Sequence, residues 1–229
     1  MSSPNDGTED AAATPIVRSR LNRDRIVSLL GEMVTSLSGR QQGARIRIVG
    51  GSAIALVYSG GRDVTGDVDA ISDPEEVVLS AAAEARRRHP DLSDDWFNGA
   101  AGQYLPNGFG RAQEWVQIYS RDKVTIEVPS PEMLLAIKID AAQRRGRRDG
   151  IDLPHLLAAA GVSNTGDAER IYEDFYPGDD LTERTYLILD AAVRHAMALD
   201  THLLKPEQVG AEIQEAIGDL PESSGLTHP

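Results

Sequence analysis

Arg45-Ile46-Arg47-Ile48-Val49-Gly50-Gly51-Ser52-Ala53 runs an alternating strand pattern straight into two glycines and a hydroxyl. Glycines let the backbone approach a ligand closely, and the amides that open the following helix have no partner inside it and can receive phosphate oxygens. Ser52 adds its hydroxyl at the same point. Residues 52–58 are apolar and read as a short helix closed by Gly60-Gly61. After a gap of fourteen residues from Ser52, Asp67-Val68-Asp69-Ala70-Ile71 gives a second strand pattern. Side-chain alternation puts Asp67 and Asp69 on one face, about 7 Å apart, and Val68 on the other. Two carboxylates so placed can share a hard divalent cation such as Mg2+, which takes oxygen ligands and keeps waters and phosphates as its remaining partners. Two such ions can activate an attacking hydroxyl and stabilise a departing pyrophosphate. Alone, Gly-Gly after a strand is usually a turn and Asp-x-Asp a solvated strand end. In this order, a helix apart, they point to nucleotide chemistry.

Outward from this stretch, Ile26, Leu30, Met33, Val34 and Leu37 recur at helical steps, predicting an amphipathic helix over 21–37. Asp73-Pro74-Glu75-Glu76 reads as a capped helix start, with the helix running to residue 88. Residues 115–119 and 123–128 read as strands joined by a hairpin at 120–122. Ser130-Pro131-Glu132 opens another helix reaching about residue 145, and from Leu153 the periodicity is helical throughout, over 153–160, 166–175, 181–199 and 206–217. The fold class is therefore α/β (α+β), a mixed sheet with flanking helices in a lobe over 16–130 and a helical lobe over 131–217. Residues 1–15 and 218–229 are small and polar, and are expected to be disordered tails.

The chain has 229 residues and is 41% hydrophobic, enough for a sizeable core. It has no cysteine, hence no disulfide or thiolate metal site. No secretory signal and no apolar run of about 18 residues is seen, so a cytoplasmic protein without membrane contact is expected. The net charge of −13 argues against sequence-blind adhesion to nucleic acid. All of it, however, comes from residues 1–15 and 164–229, and the stretch 16–163 carries nineteen charges of each sign. That neutral body holds the basic clusters Arg86, Arg87, Arg88 and Arg144, Arg145, Arg147, Arg148, which read first as helix ends favoured by the dipole. The five histidines show no metal-ligand spacing, and no nucleophile elbow, Walker loop or dinucleotide fingerprint occurs. Most aromatics fall between Trp96 and Tyr119; the Gly-rich loop 98–111 around Tyr104 is a candidate lining for an acceptor or base pocket.

Gly51-Ser52, the helix-length gap and Asp67-Val68-Asp69 resemble the signature of the DNA polymerase β-like nucleotidyltransferases, and Arg62-x-x-Thr65-x-Asp67 is similar to its lead-in to the metal strand. Downstream, the chain resembles the third and fourth motifs of the AbiEii and MenT toxin nucleotidyltransferases, a helix of the form Lys-x-x-Ala-x-x-x-Arg followed by Arg-Asp-x-x-Asp. Lys138, Ala141 and Arg145 fit the first spacing; Arg148, Asp149 and Asp152 fit the second. The resemblance covers residues 46–157.

The resemblance implies nucleotide transfer from an NTP to an acceptor, with Mg2+, or Mn2+ in its place, as cofactor. In MenT members the acceptor is the 3′ end of tRNA, whose modification blocks aminoacylation and arrests growth, and a cognate antitoxin protein is the usual partner. By carry-over, Asp67 and Asp69 hold the metal, Gly50, Gly51, Ser52, Arg62 and Thr65 lie at the nucleotide, and Lys138 neutralises charge developing on phosphate. Asp149 or Asp152 assists the metal or the acceptor hydroxyl. Many members take a third metal carboxylate from a neighbouring strand; here the strand candidate is Glu127, which otherwise reads as the polar face of an edge strand. Lys138, Ala141, Ala142 and Arg145 share one helical stripe, while Asp140 falls on another face and is expected in solvent. Arg144, Arg145, Arg147 and Arg148 are the candidate RNA contacts. Two alternatives stand beside this reading: an antibiotic or other small-molecule nucleotidyltransferase on the same sheet, and a catalytically idle nucleotide-binding or protein-interaction module.

Overall fold

Burial alternates along β1 (Ala44–Ile48): Ala44, Ile46 and Ile48 are buried, while Arg45 and Arg47 project from the opposite side. A computed structural model of the chain describes residues 20–40, 43–59, 64–145, 149–199 and 202–220. It places β1 at the centre of a five-stranded mixed sheet with β3 (Val68–Asp73), β4 (Phe97–Asn98), β5 (Trp115–Arg121) and β6 (Val124–Pro129), in the order β4-β3-β1-β6-β5. β1 runs antiparallel to β3 and parallel to β6, and β4 adds to the edge parallel to β3. β5 and β6 form a hairpin whose two turn residues, Asp122 and Lys123, both have positive φ (49° and 65°), the twist that a two-residue hairpin requires. A separate two-stranded ribbon pairs β2 (Tyr58–Ser59) with β7 (His202–Leu203). The α/β reading of the sequence holds.

One sheet face carries Ile46, Ile48, Val68, Ala70, Ile126 and Val128, all buried. It is covered by α1 (Arg23–Gly39), α3 (Glu75–Arg88) and α8 (Pro206–Gly218). α1 is capped by Asn22, whose side chain accepts from the Arg25 amide at 2.9 Å. α3 turns Val78, Ala81, Ala82 and Ala85 inward, a stripe small enough for the helix to lie close on the sheet. Asp73 does not cap α3, because β3 extends through Asp73 and the cap position falls to Pro74, which has no side-chain donor or acceptor to offer. On the other sheet face a short 3-10 segment, Ala100–Tyr104, packs over β3.

Beyond β6, α4 (Pro131–Arg145) packs against α5 (Leu153–Ala159), α6 (Thr165–Phe175) and α7 (Glu183–Ala196) as the helical lobe. The expected division at residue 131 is crossed by α8, which leaves this lobe and returns to lie on α1 and β5. Its approach is close: a Cβ on Gly210 would lie 2.4 Å from the Ile118 carbonyl oxygen. Gly210→Ala should therefore push α8 off the sheet, at a cost of about 1–3 kcal/mol; urea denaturation would show it as a lower midpoint.

Asp140 is the clearest departure from the sequence reading of this region. It is 1% exposed, because α6 covers the face of α4 on which it sits. Arg144 Nε donates to it at 3.1 Å and the Tyr172 hydroxyl at 3.4 Å, and burial raises its pKa. The Arg86 to Arg88 run is likewise not merely solvated: Arg88 pairs with buried Glu32 at 2.9 Å, His89 bonds the same carboxylate, and Arg86 pairs with Asp94. The predicted tails lie mostly outside the described residues, except that Gly218 still ends α8. Among the described residues, no helix is long and apolar enough to cross a membrane.

Candidate active site

Just past β1, the Val49 amide donates to the Asp69 carbonyl at 2.9 Å, so the start of α2 (Gly50–Val57) is tied to β3 at the level of Asp69. Gly50 has φ of +67°, and a Cβ there would lie 3.0 Å from Asp69 Oδ2. A side chain at residue 50 would both strain the turn and occupy the space in front of that oxygen. The first bond inside α2 runs from Ala53 N to Val49 O at 3.4 Å. The amides of Gly50, Gly51 and Ser52 precede it and are not used by the helix.

Ser52 acts differently from expectation. The residue is 1% exposed, and its hydroxyl donates to the Val49 carbonyl at 2.9 Å, closing the turn. While that bond holds, the hydroxyl has no proton to offer a phosphate, and the anion-receiving part of this loop is backbone. Thr65 is also structural: it is buried, and its amide and carbonyl exchange 2.9 Å hydrogen bonds with Leu21, pinning the segment before α1. Arg62 lies outside the described residues.

Asp67 stands just before β3 and Asp69 within it, both partly buried. Each has one oxygen held by the segment after α3. Asn98 Nδ2 donates to Asp67 Oδ2 at 3.2 Å, and the Ala101 amide donates to Asp69 Oδ1 at 3.3 Å. Asp67 Oδ1 and Asp69 Oδ2 take no hydrogen bond among the described residues. Asp69 has a pKa pushed up to about 6, first by burial and then by the charge of Asp67; the Ala101 amide, Lys138 and Arg145 act against this. A partly buried carboxylate whose charged form is disfavoured by burial and by a neighbouring like charge gains from a cation. The sequence places Asn98 and Ala101 in the candidate pocket loop 98–111 but not at the carboxylates, because a two-residue strand and a 3-10 turn leave no periodic signal.

α4 supplies the basic side. Lys138 is 6% exposed and its Nζ lies 2.9 Å from Asp152 Oδ2, itself on a residue only 3% exposed. This buried ion pair ties α4 to the start of α5. Asp152 thus holds Lys138, and the side chain of Asp149 lies outside the described residues. Ala141 and Ala142 continue the buried stripe, and Arg145 emerges from it with its guanidinium 4.5 Å from the centre of the Tyr104 ring. The Tyr104 carbonyl accepts from the Tyr176 hydroxyl, which fixes this loop to α6. Arg144 is occupied by Asp140. Arg147 and Arg148 lie outside the described residues.

Glu127 does not join the carboxylate pair. It projects from β6 opposite Arg47, with β1 between it and β3, and pairs with Arg47 at 2.9 Å and Arg45 at 3.8 Å. Among the described residues no group of three His, Asp or Glu side chains is placed to hold a metal. A cation would rest on Asp67 and Asp69 and complete its shell with water and ligand oxygens, as Mg2+ commonly does.

Comparison of the chain with protein-family models, with curated proteins and with solved structures returned no match.

Proposed function

We propose that the protein is a nucleotidyltransferase dependent on Mg2+, or Mn2+ in its place, that moves a nucleotide from an NTP to an RNA acceptor, with the tRNA 3′ end as the acceptor implied by the toxin resemblance. The observation that carries it is the meeting of two opposed features at one point. Asp69 Oδ2 lies 3.0 Å from where a Gly50 Cβ would stand, so the start of α2, which receives anions, faces a carboxylate pair, which receives cations. Neither ligand alone suits both; a metal-chelated triphosphate does.

In the proposed reaction the acceptor hydroxyl forms a bond to the α-phosphorus, the bond to the bridging oxygen of the β-phosphate breaks, and pyrophosphate and the hydroxyl proton leave. When bound, the metal would polarise the phosphate and stabilise the departing charge. Asp67 and Asp69 hold it, with Asn98 and Ala101 fixing one oxygen of each. The amides of Gly50, Gly51 and Ser52 receive phosphate oxygens. Lys138, set by Asp152, adds positive charge beside the reacting phosphate. The proposed biological role, as toxin with a cognate antitoxin and a cytoplasmic tRNA target, rests on the sequence resemblance.

Incubation of the purified protein with each labelled NTP, Mg2+ and total RNA should label RNA, and EDTA should abolish the labelling. Labelling of an aminoglycoside in place of RNA would favour the small-molecule alternative, and no labelling of either would defeat the reading.

A further inference from the structure

The open face of the sheet continues from the carboxylates across β1 and β6 to β5, and it carries a group that the reaction above does not use. Arg45 and Arg47 on β1 share one carboxylate, Glu127, at 3.8 and 2.9 Å. The Arg47 guanidinium also lies over the ring of Trp115 on β5, 4.8 Å from its centre. The side chain of Arg45 is 53% exposed and that of Arg47 30%. Trp115 is partly exposed. Asp73, opposite Arg45, bounds the patch at its outer end.

We propose that the Arg47–Trp115 ledge, with Arg45, binds the unpaired 3′ end of an RNA acceptor and leads its terminal hydroxyl to Asp67 and Asp69. The proposal rests on the function proposed above and names the acceptor path for it. Two arguments favour this occupant. Guanidinium planes and indole rings are the surfaces on which unpaired bases stack, whereas paired bases in a duplex have no free face to offer. The half-exposed guanidinium of Arg45 also offers hydrogen-bond donors to a backbone phosphate. The position fits as well. Arg47 pairs across from Ile71, two residues along β3 from Asp69, which puts the two Cα atoms about 8 Å apart by strand spacing. A strand lying on the ledge can therefore reach the carboxylates within its last nucleotides. The acceptor contact expected from the α4 arginines gains no support from Arg144, which is engaged by Asp140.

The chain offers a direct probe, since it has two tryptophans and the other, Trp96, is 2% exposed. Titration of the full-length protein with a short single-stranded RNA ending in a free 3′ hydroxyl should quench the Trp115 emission, with a blunt duplex RNA quenching much less. Trp115→Ala should weaken RNA binding roughly tenfold or more, as loss of a stacking platform does. Trp115→Phe, which keeps a ring, should restore most of the affinity. Arg45→Ala, at an exposed position where folding is not at stake, should raise KM for RNA severalfold with little change in KM for NTP. If the wild type extends RNA but shows no quench, and Trp115→Ala and Arg45→Ala keep its KM for RNA, the acceptor path is overturned and the proposed function stands. Equal quenching by duplex RNA, or by NTP alone, also overturns it. If no RNA is extended at all, the proposed function fails, while RNA quenching abolished by Trp115→Phe and weakened by Arg45→Ala would still support the surface.

Discussion

Asp69→Asn is expected to cut nucleotide transfer by on the order of a thousandfold, since loss of metal assistance is worth several kcal/mol of barrier, and at the same time to make the metal-free protein more stable above pH 6. The second half follows from the carboxyl's raised pKa, from 3.8 to about 6, caused by burial and by the neighbouring charge of Asp67. A raised pKa in the folded state means that the fold prefers the protonated form. Stability from that preference is present in full below pH 3.8, declines between pH 3.8 and about 6, and is gone above it. Asn cannot ionise and escapes this loss. Melting temperatures of wild type and variant, measured with EDTA, should therefore converge at pH 4 and separate at pH 8 with the variant higher. Mg2+ should then raise the wild-type melting temperature and leave the variant unmoved. A folded Asp69→Asn protein with wild-type transfer would remove the proposed centre. If it is inactive but never more stable, Asp69 is not the strained carboxylate described above.

The parts of this architecture that repeat with a period were legible in the sequence. The strand into Gly50, the Asp67-Val68-Asp69 strand, the β5–β6 hairpin and the helices after Leu153 all announce themselves by spacing, and all fall within a few residues of the expected limits. What escaped was set by tertiary packing. Glu127 shares a sheet face with Asp69 by alternation, but strand order decides its neighbours, and β1 inserts Arg47 beside it. The group that does reach Asp67 is Asn98, on a two-residue strand whose pairing with β3 no local pattern encodes. Asp140 reads as solvent-facing on a helical wheel of α4 alone, and only the docking of α6 buries it. The roles of single polar groups likewise depend on neighbours. Ser52 stands where a phosphate ligand is expected, yet its hydroxyl is consumed by the Val49 carbonyl.

Lys138 shows the same limit with larger consequences, because a lysine exposed on a helix should matter little to folding, whereas this one is 6% exposed and bonded to Asp152. Lys138→Met removes the cation of a buried ion pair, a change that costs roughly 3–5 kcal/mol. The single variant should therefore lose both stability and transfer, and its inactivity would say nothing of chemistry. Asp152→Leu should destabilise by a comparable amount, with Lys138 now the orphaned charge. The informative protein is Lys138→Met with Asp152→Leu, since replacing both members of a buried pair by apolar groups of similar volume is often neutral or stabilising. It should melt near the wild-type temperature and still transfer nucleotide at least about a hundredfold more slowly, the scale of one lost charge-stabilising group. Such a result assigns the charges of the pair to the reaction and not only to the fold, because stability has been returned and charge has not. Recovery of activity along with stability would instead make the pair a clasp between α4 and α5, and the positive charge beside Asp69 would then have to come from Arg145, whose field already acts on that carboxyl.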